Sequence, residues 1–223
     1  MNLKTLIGIV LSIFSFTMTA QRADHRIAVG AEYEFVPTNQ ILSFEDSDAG
    51  NAFDEEYSLN RVSAHFYYSK GKSPWLFMAS LGYSFGRTNV SRTYQSPVGF
   101  SELKGVQSST TFDVQIGAGY DIALSRFHFT PKLAMRYYAY AENAFDGELD
   151  ERGQTSPASS SITSSSNLAM VVGSRFAVDF LQKYRKPVAS VFVEPGYLMG
   201  LNDYGKDGAG HSWYASAGLL FHL

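Results

Sequence analysis

Eight segments of the chain alternate apolar and polar residues with a period of two, the pattern of a strand whose two faces meet different surroundings. The first four apolar stripes are Ile27, Val29, Ala31, Tyr33 and Phe35; Val62, Ala64, Phe66 and Tyr68; Trp75 to Phe85 by twos; and Phe112 to Ile122 by twos. The fifth is Phe127, Phe129, Leu133, Met135 and Tyr137, and the sixth is Leu168, Met170, Val172, Phe176, Val178 and Phe180. Ala189, Val191, Val193, Tyr197 and Met199 make the seventh, and Trp213 to Leu223 by twos the eighth. Pro131 and Pro195 fall in register with the fifth and seventh stripes. Each forfeits one ladder donor, so a bulge is expected beside each.

The connections alternate as well. Lys70 to Pro74, Ala123 to Arg126 and Gln182 to Lys186 read as short turns, whereas 37–56, 88–108, 141–166 and 202–211 read as loops, three of them long and polar. The serine-rich stretch from Ser159 to Ser166 reads as a flexible loop of low complexity. Short turns at one end and long loops at the other are the arrangement of an outer-membrane barrel. An even number of strands then puts both chain ends on the short-turn side, the periplasm.

Charge placement assigns the faces. Within the strands Arg26, Glu32, Glu34, Arg61, Asp113, Asp121, Lys132, Arg136, Arg175, Asp179 and Glu194 all lie opposite the apolar stripe, and only Arg87, at a loop edge, breaks the rule. The same face carries Gly30, Gly82, Gly117, Gly119, Gly173 and Gly218. A soluble lipocalin-type barrel alternates in the same way with its apolar face inward. Small residues on the polar face instead suit the crowded lumen of a narrow membrane barrel. Aromatics gather toward both strand ends, with Tyr33, Tyr83, Phe112 and Trp213 at one and Trp75, Tyr120, Phe127 and Phe221 at the other. Those are two headgroup-level girdles.

Composition agrees. Charged residues are 17% and aromatics 15% of 223 residues, a low and a high share for a soluble domain. A net charge of −3 offers no basic footprint, so no nucleic-acid partner is expected. Cysteine is absent, which excludes thiol chemistry, disulfides and a lipoprotein anchor. Residues 1–20 read as a cleaved signal peptide, with Lys4 before an apolar core from Leu6 to Phe16, too short to span a bilayer. Residues 21–24 are then a short periplasmic lead and 25–223 the barrel. Beyond the signal no apolar run approaches twenty residues, so any membrane span is made of strands.

The segment Ser216-Ala217-Gly218-Leu219-Leu220-Phe221-His222-Leu223 resembles the C-terminal assembly signal of outer-membrane barrels, with Ser216, Gly218, Phe221 and Leu223 at its defining positions. From 25 to 223 the chain resembles the small outer-membrane barrel family of OmpA-transmembrane-domain and OmpX type. The resemblance implies an all-β, eight-stranded, antiparallel, up-and-down transmembrane barrel in the outer membrane of a Gram-negative cell envelope. It also implies contact with lipids and lipopolysaccharide, and with the barrel-assembly machinery during biogenesis.

In so narrow a barrel side chains fill the lumen. Six inward acids face five inward bases, and buried ions are costly unless paired, so a mutually paired interior is expected. Its members are Glu32, Glu34, Arg61, His65, Asp113, Lys132, Arg136, Arg175, Asp179 and Glu194, with His128, Tyr67, Tyr138 and Gln115 able to complete it. The alternative is a narrow passage or small-ligand site lined by the same groups. No catalytic, cofactor or metal residue is assigned. Ser63 with His65 and the neighbours His211-Ser212 match no hydrolase motif, and the acids Glu45, Asp46, Asp48, Asp54, Glu55 and Glu56 miss the EF-hand spacing. The expected role is structural or surface-interacting, as a subunit of a larger outer-membrane complex among the candidates. A porin-like narrow channel or ligand binder comes second, and a lipid A-modifying enzyme third.

If Ser216 to Leu223 is an assembly signal, deleting the last three residues blocks insertion in cells. Phe221→Ala slows assembly in cells, and the same variant still refolds into detergent micelles at near-normal stability. Normal insertion in cells together with early melting in micelles would make Phe221 structural only.

Overall fold

The computed structural model describes residues 25–39, 57–96, 99–151, 154–164, 167–183, 186–201 and 211–223. The proposed signal peptide, the 21–24 lead, most of the first and last loops and their acidic cluster lie outside the described residues. Ten strands follow one another: β1 (His25–Asn39), β2 (Tyr57–Lys70), β3 (Trp75–Ser96), β4 (Gly99–Tyr120), β5 (Ile122–Leu124), β6 (Phe127–Glu151), β7 (Gln154–Ser164), β8 (Asn167–Lys183), β9 (Lys186–Gly200) and β10 (His211–His222). Eight form the wall, in the antiparallel order β1-β2-β3-β4-β6-β8-β9-β10, and β10 pairs back onto β1 from Ala28↔His222 to Phe35↔Ala215. The barrel is closed. β5 is a short tab paired with the start of β6, and β7 continues the line of β8 beyond the barrel, paired with the far half of β6.

The alternating stripes become the outer surface. Tyr33, Leu81, Phe77, Ile116, Leu133, Val193 and Trp213 are exposed on it, while the intervening residues point into the lumen. Two aromatic belts flank this band. Tyr83 meets Phe112 and Tyr197 meets Trp213 at the loop end, and Trp75 meets Tyr120 edge-on at the turn end. No helix of the described residues is long and apolar enough to cross a membrane; this wall crosses with strands. Ile27 and Ala189 depart from their stripes and are buried, Ala189 where the β8–β9 register slips after Asp179.

The structure corrects three expectations. The segments 88–108 and 141–166 are largely strand rather than loop. β3 and β4 stay paired out to Ser96↔Gly99, and β6 runs to Glu151 before β7 returns along it. The serine-rich stretch is therefore part of the edge strand β7 as far as Ser164. Their polar outer face hid these strands, because beyond the membrane both surfaces of the sheet admit polar residues. A bulge compounds the effect: Phe112 pairs with Tyr140 but Asp113 with Tyr138, leaving Ala139 over. Beyond it the inward positions of β6 switch from even to odd numbers, to Ala141, Asn143 and Phe145.

The prolines carry no register shift. Pairing skips two residues around each, between Gly119↔Lys132 and Ile122↔Phe129 for Pro131, and between Gly173↔Gly196 and Phe176↔Val193 for Pro195. A gap in the ladder absorbs the missing N–H as well as a bulge would.

The projecting sheet of β3, β4, β6 and β7 has a core of its own. Val90, Leu103 and Phe145 are buried together, with Leu149 and Ala158 against them. The Phe145 ring lies over the cross-strand pair Gly105↔Gly147, where a Cβ on either glycine would strike it. Phe145→Ala should remove roughly 3–5 kcal/mol of local packing. In hydrogen exchange the amides of β7 and the far half of β6 should then speed up while those of β8–β10 do not change.

Candidate functional site: the barrel interior

Inward residues of β1, β2, β4, β6, β8 and β9 bring every expected member of the network into the lumen. Glu32, Glu34, Arg61, His65, Asp113, Lys132, Arg136, Arg175, Asp179 and Glu194 are all buried, none more than 6% exposed. They fall into three groups along the axis. Nearest the loop end, Arg136 grips Glu34 with both terminal nitrogens at 2.7 Å and donates from Nε to Gln115 at 3.0 Å. Beside it Arg61 grips Asp113 at 2.6 and 2.9 Å and donates to Ser63 at 3.0 Å. These two-pronged pairs have the strongest geometry an ion pair can take.

In the middle, Glu194 accepts from Arg175 at 2.9 Å and from the Tyr214 hydroxyl at 2.8 Å, and pairs with Lys132. The Arg175 guanidinium lies over the rings of Tyr67 and Phe192, at 4.6 and 4.3 Å. His65 Nε2 lies 2.8 Å from Ser63 and 3.0 Å from Glu32, with Nδ1 2.8 Å from the Tyr67 hydroxyl. At the turn end, Asp179 accepts from Ser190 at 2.6 Å, and His128 stands between Asp121 at 3.1 Å and Asp179 at 3.3 Å. Among the described residues no group of His, Asp and Glu has the arrangement to hold a metal ion.

Four acids (Glu32, Glu34, Asp113, Glu194) thus meet four bases (Arg61, Lys132, Arg136, Arg175) in the two inner groups. Apolar layers lie on either side of them, which the charge pattern alone did not reveal. Val36, Leu59, Tyr138, Val171 and Leu198 cluster toward the loop end, and Ala28, Tyr67, Met78, Phe192 and Leu220 toward the turn end. These residues share the parity of the charged face, so period two did carry the signal, but the charges masked it. Glycine makes the room: a Cβ at Gly82 would strike the Arg61 guanidinium and the Asp113 carboxylate. A cavity of about 100 Å³ lies at the turn end, lined by Arg26, Asp121, His128, Arg175, Ser190 and His222 among others.

Of the four positions read as an assembly signal, Ser216, Gly218 and Phe221 lie on the closing strand and Leu223 directly follows it. Ser216 and Gly218 face inward, while Phe221 and Leu223 are 49% and 44% exposed on the outer surface. The Leu223 amide donates to the Ile27 carbonyl at 2.9 Å.

Residues 20–219, almost the whole chain, match the family model of the autotransporter beta-domain. The chain belongs to this family. The autotransporter beta-domain described here is an eight-stranded outer-membrane barrel, and the small-barrel architecture that the sequence resembles is the one observed. No curated protein matches it. Solved barrels similar to it include the outer-membrane protease OmpT of Escherichia coli, 13% identical, covering 91% of this chain and 98% of that one at a TM-score of 0.42. The attachment invasion locus protein Ail of Yersinia pestis is 15% identical over 90% of this chain and 100% of its own, at 0.37. The translocator domain of autotransporter NalP from Neisseria meningitidis is 11% identical over 99% and 96%, at 0.38.

Removing one member of a buried pair leaves the other uncompensated. Arg136→Ala should cost the beta-domain roughly 3–5 kcal/mol through the stranded Glu34 carboxylate. The double variant Arg136→Met with Glu34→Met should recover much of that loss. Denaturant unfolding in micelles reads both.

Proposed function

We propose that this barrel is a closed anchor, which conducts nothing and holds its projecting β-sheet at the cell surface for contact with a partner. The observation that carries this reading is the filled lumen, where four buried acids and four buried bases, engaged with one another, lie between two apolar layers. Ions or a passenger polypeptide could cross only by breaking those pairs, and each broken pair would leave a buried charge uncompensated. Autotransporter beta-domain therefore names the barrel's lineage here, not a conduit. The projecting strands support the second half of the proposal. They leave the membrane band at Phe85, Phe112 and Tyr140 and continue as an ordered sheet whose outer face bears Glu102, Asp146, Glu148 and Asp150.

In this reading the short turns and both chain ends are periplasmic and the sheet faces outward, toward lipopolysaccharide and surface partners. A larger outer-membrane complex is one setting for such an anchor. Ser216 to Leu223 serves the assembly machinery before the barrel closes. No enzyme activity is proposed, because Ser63 and His65 are enclosed among charges rather than open to a substrate. A small-ligand role is the second reading. The turn-end cavity favours it, since Arg175 lines that space and its Nε and Nη1 lack hydrogen-bond partners in the structure.

Planar-bilayer recording tests the anchor. The expected result is no step conductance from the inserted wild-type barrel, with leak appearing in a variant that deletes inner charges, such as Arg61→Ala with Asp113→Ala. Stable channels in the wild type would overturn the closed reading.

A further inference from the structure

We propose that the turn end of the barrel is a collar that selects anionic phospholipid headgroups. Going round the eight wall strands, the three turns and the β10/β1 ends fall at every second gap, so they stand about a quarter-turn apart. Each position carries a base: Lys70 and Lys72 between β2 and β3, Arg126 between β5 and β6, Lys186 at the start of β9, and Arg26 on β1. All five are exposed. Arg26 also donates to the Ser73 carbonyl at 2.6 Å, which ties it to the first turn.

Of the ring's bases only Arg26 meets an acid described at this end, Asp121, with which it lines the turn-end cavity. Asp121 and Asp179 are turned inward, where His128, Thr130 and Ser190 engage them. Among the described side chains the exposed rim therefore carries bases and no exposed acid. The opposite end has the reverse bias, with the six carboxylates of the projecting strands outnumbering their three bases, Arg87, Arg92 and Lys104.

Lipid, rather than a soluble polyanion, is the occupant because the collar runs straight into the membrane surface. Trp75 (55% exposed) follows the first turn and Phe127 (62%) follows Arg126. Both rings belong to the aromatic belt that sits at headgroup height, and the flexible basic side chains reach from there to the phosphates. A headgroup with net negative charge keeps that attraction, whereas a zwitterionic one brings its own cation to the same place. The identity of the leaflet, periplasmic, rests on the orientation proposed above; the selectivity does not.

The two tryptophans of the chain, Trp75 at the collar and Trp213 at the other end, make the test direct. The full barrel is reconstituted in phosphatidylcholine vesicles containing brominated phosphatidylglycerol or, in parallel, brominated phosphatidylcholine. In Trp213→Phe, where Trp75 alone reports, quenching should give a relative binding constant on the order of fivefold in favour of phosphatidylglycerol. In Trp75→Phe, where Trp213 reports, the ratio should stay near one. The collar preference should fall toward one at high salt, as screening demands. It should also vanish in Lys70→Gln/Lys72→Gln/Arg126→Gln/Lys186→Gln, whose folding is checked by heat-modifiable migration. Equal quenching by the two lipids at Trp75 overturns the proposal, as does an equal preference at Trp213 or a preference that ignores salt. Conductance is not measured in this assay, so its outcome and that of the closed-anchor test are independent.

Discussion

Backbone hydrogen bonding has to be completed inside the protein wherever the chain lies in hydrocarbon, because an unpaired N–H or C=O there costs several kcal/mol. A sheet meets that demand only by having no edge, and in this chain the seam between β1 and β10 removes the last one. The rest of the molecule depends on that closure. Eight strands set a lumen just wide enough for side chains. Every inward residue then becomes a core residue, whatever its chemistry, and every outward residue between the aromatic belts becomes a lipid contact.

A lumen of that width forces a choice on its charges. Arg136 with Glu34 and Arg61 with Asp113 meet it by two-pronged pairing, which satisfies several donors and acceptors in one contact. Arg175 meets it with cation–π contacts to two rings while it also holds Glu194. The apolar layers above and below keep water from the pairs, so each interaction acts in a poorly screened medium. That arrangement fits a rigid plug better than a pathway. The polar groups at the turn end, around Asp121, His128 and the small cavity, are more open and belong to the vestibule rather than to the plug.

Beyond the membrane the same strands obey different rules. The outer face no longer meets lipid, so Arg87, Glu102 and Asp146 appear where tyrosine and phenylalanine stood lower down. Without burial from a closed barrel, the projecting sheet needs its own adhesion, and Phe145 over two glycines with Val90 and Leu103 supplies it. A barrel filled by internal ion pairs and a sheet held by a small separate core are what the proposed surface anchor requires.

The eight wall strands, the lipid-facing stripe, the turn-end and loop-end belts and the inward placement of the ten network residues were all legible from period-two alternation. That signal survives in a single sequence because lipid and lumen are opposite solvents and the pleat exposes residues to them by turns. What lay beyond the sequence were matters of spatial partnership. Which carboxylate each arginine grips depends on the stagger between strands distant in sequence, and Glu34 and Arg136 meet only because the sheet closes. The projecting sheet was missed because its outer face meets water, and because the extra residue Ala139 reverses the parity of β6 where the strand leaves the membrane. The prolines were read as bulges because a lost donor is visible in sequence, whereas the ladder gap that accommodates it exists only between paired strands. Local alternation reports the environment of each face, but register and closure are properties of the whole sheet, decided when the last strand meets the first.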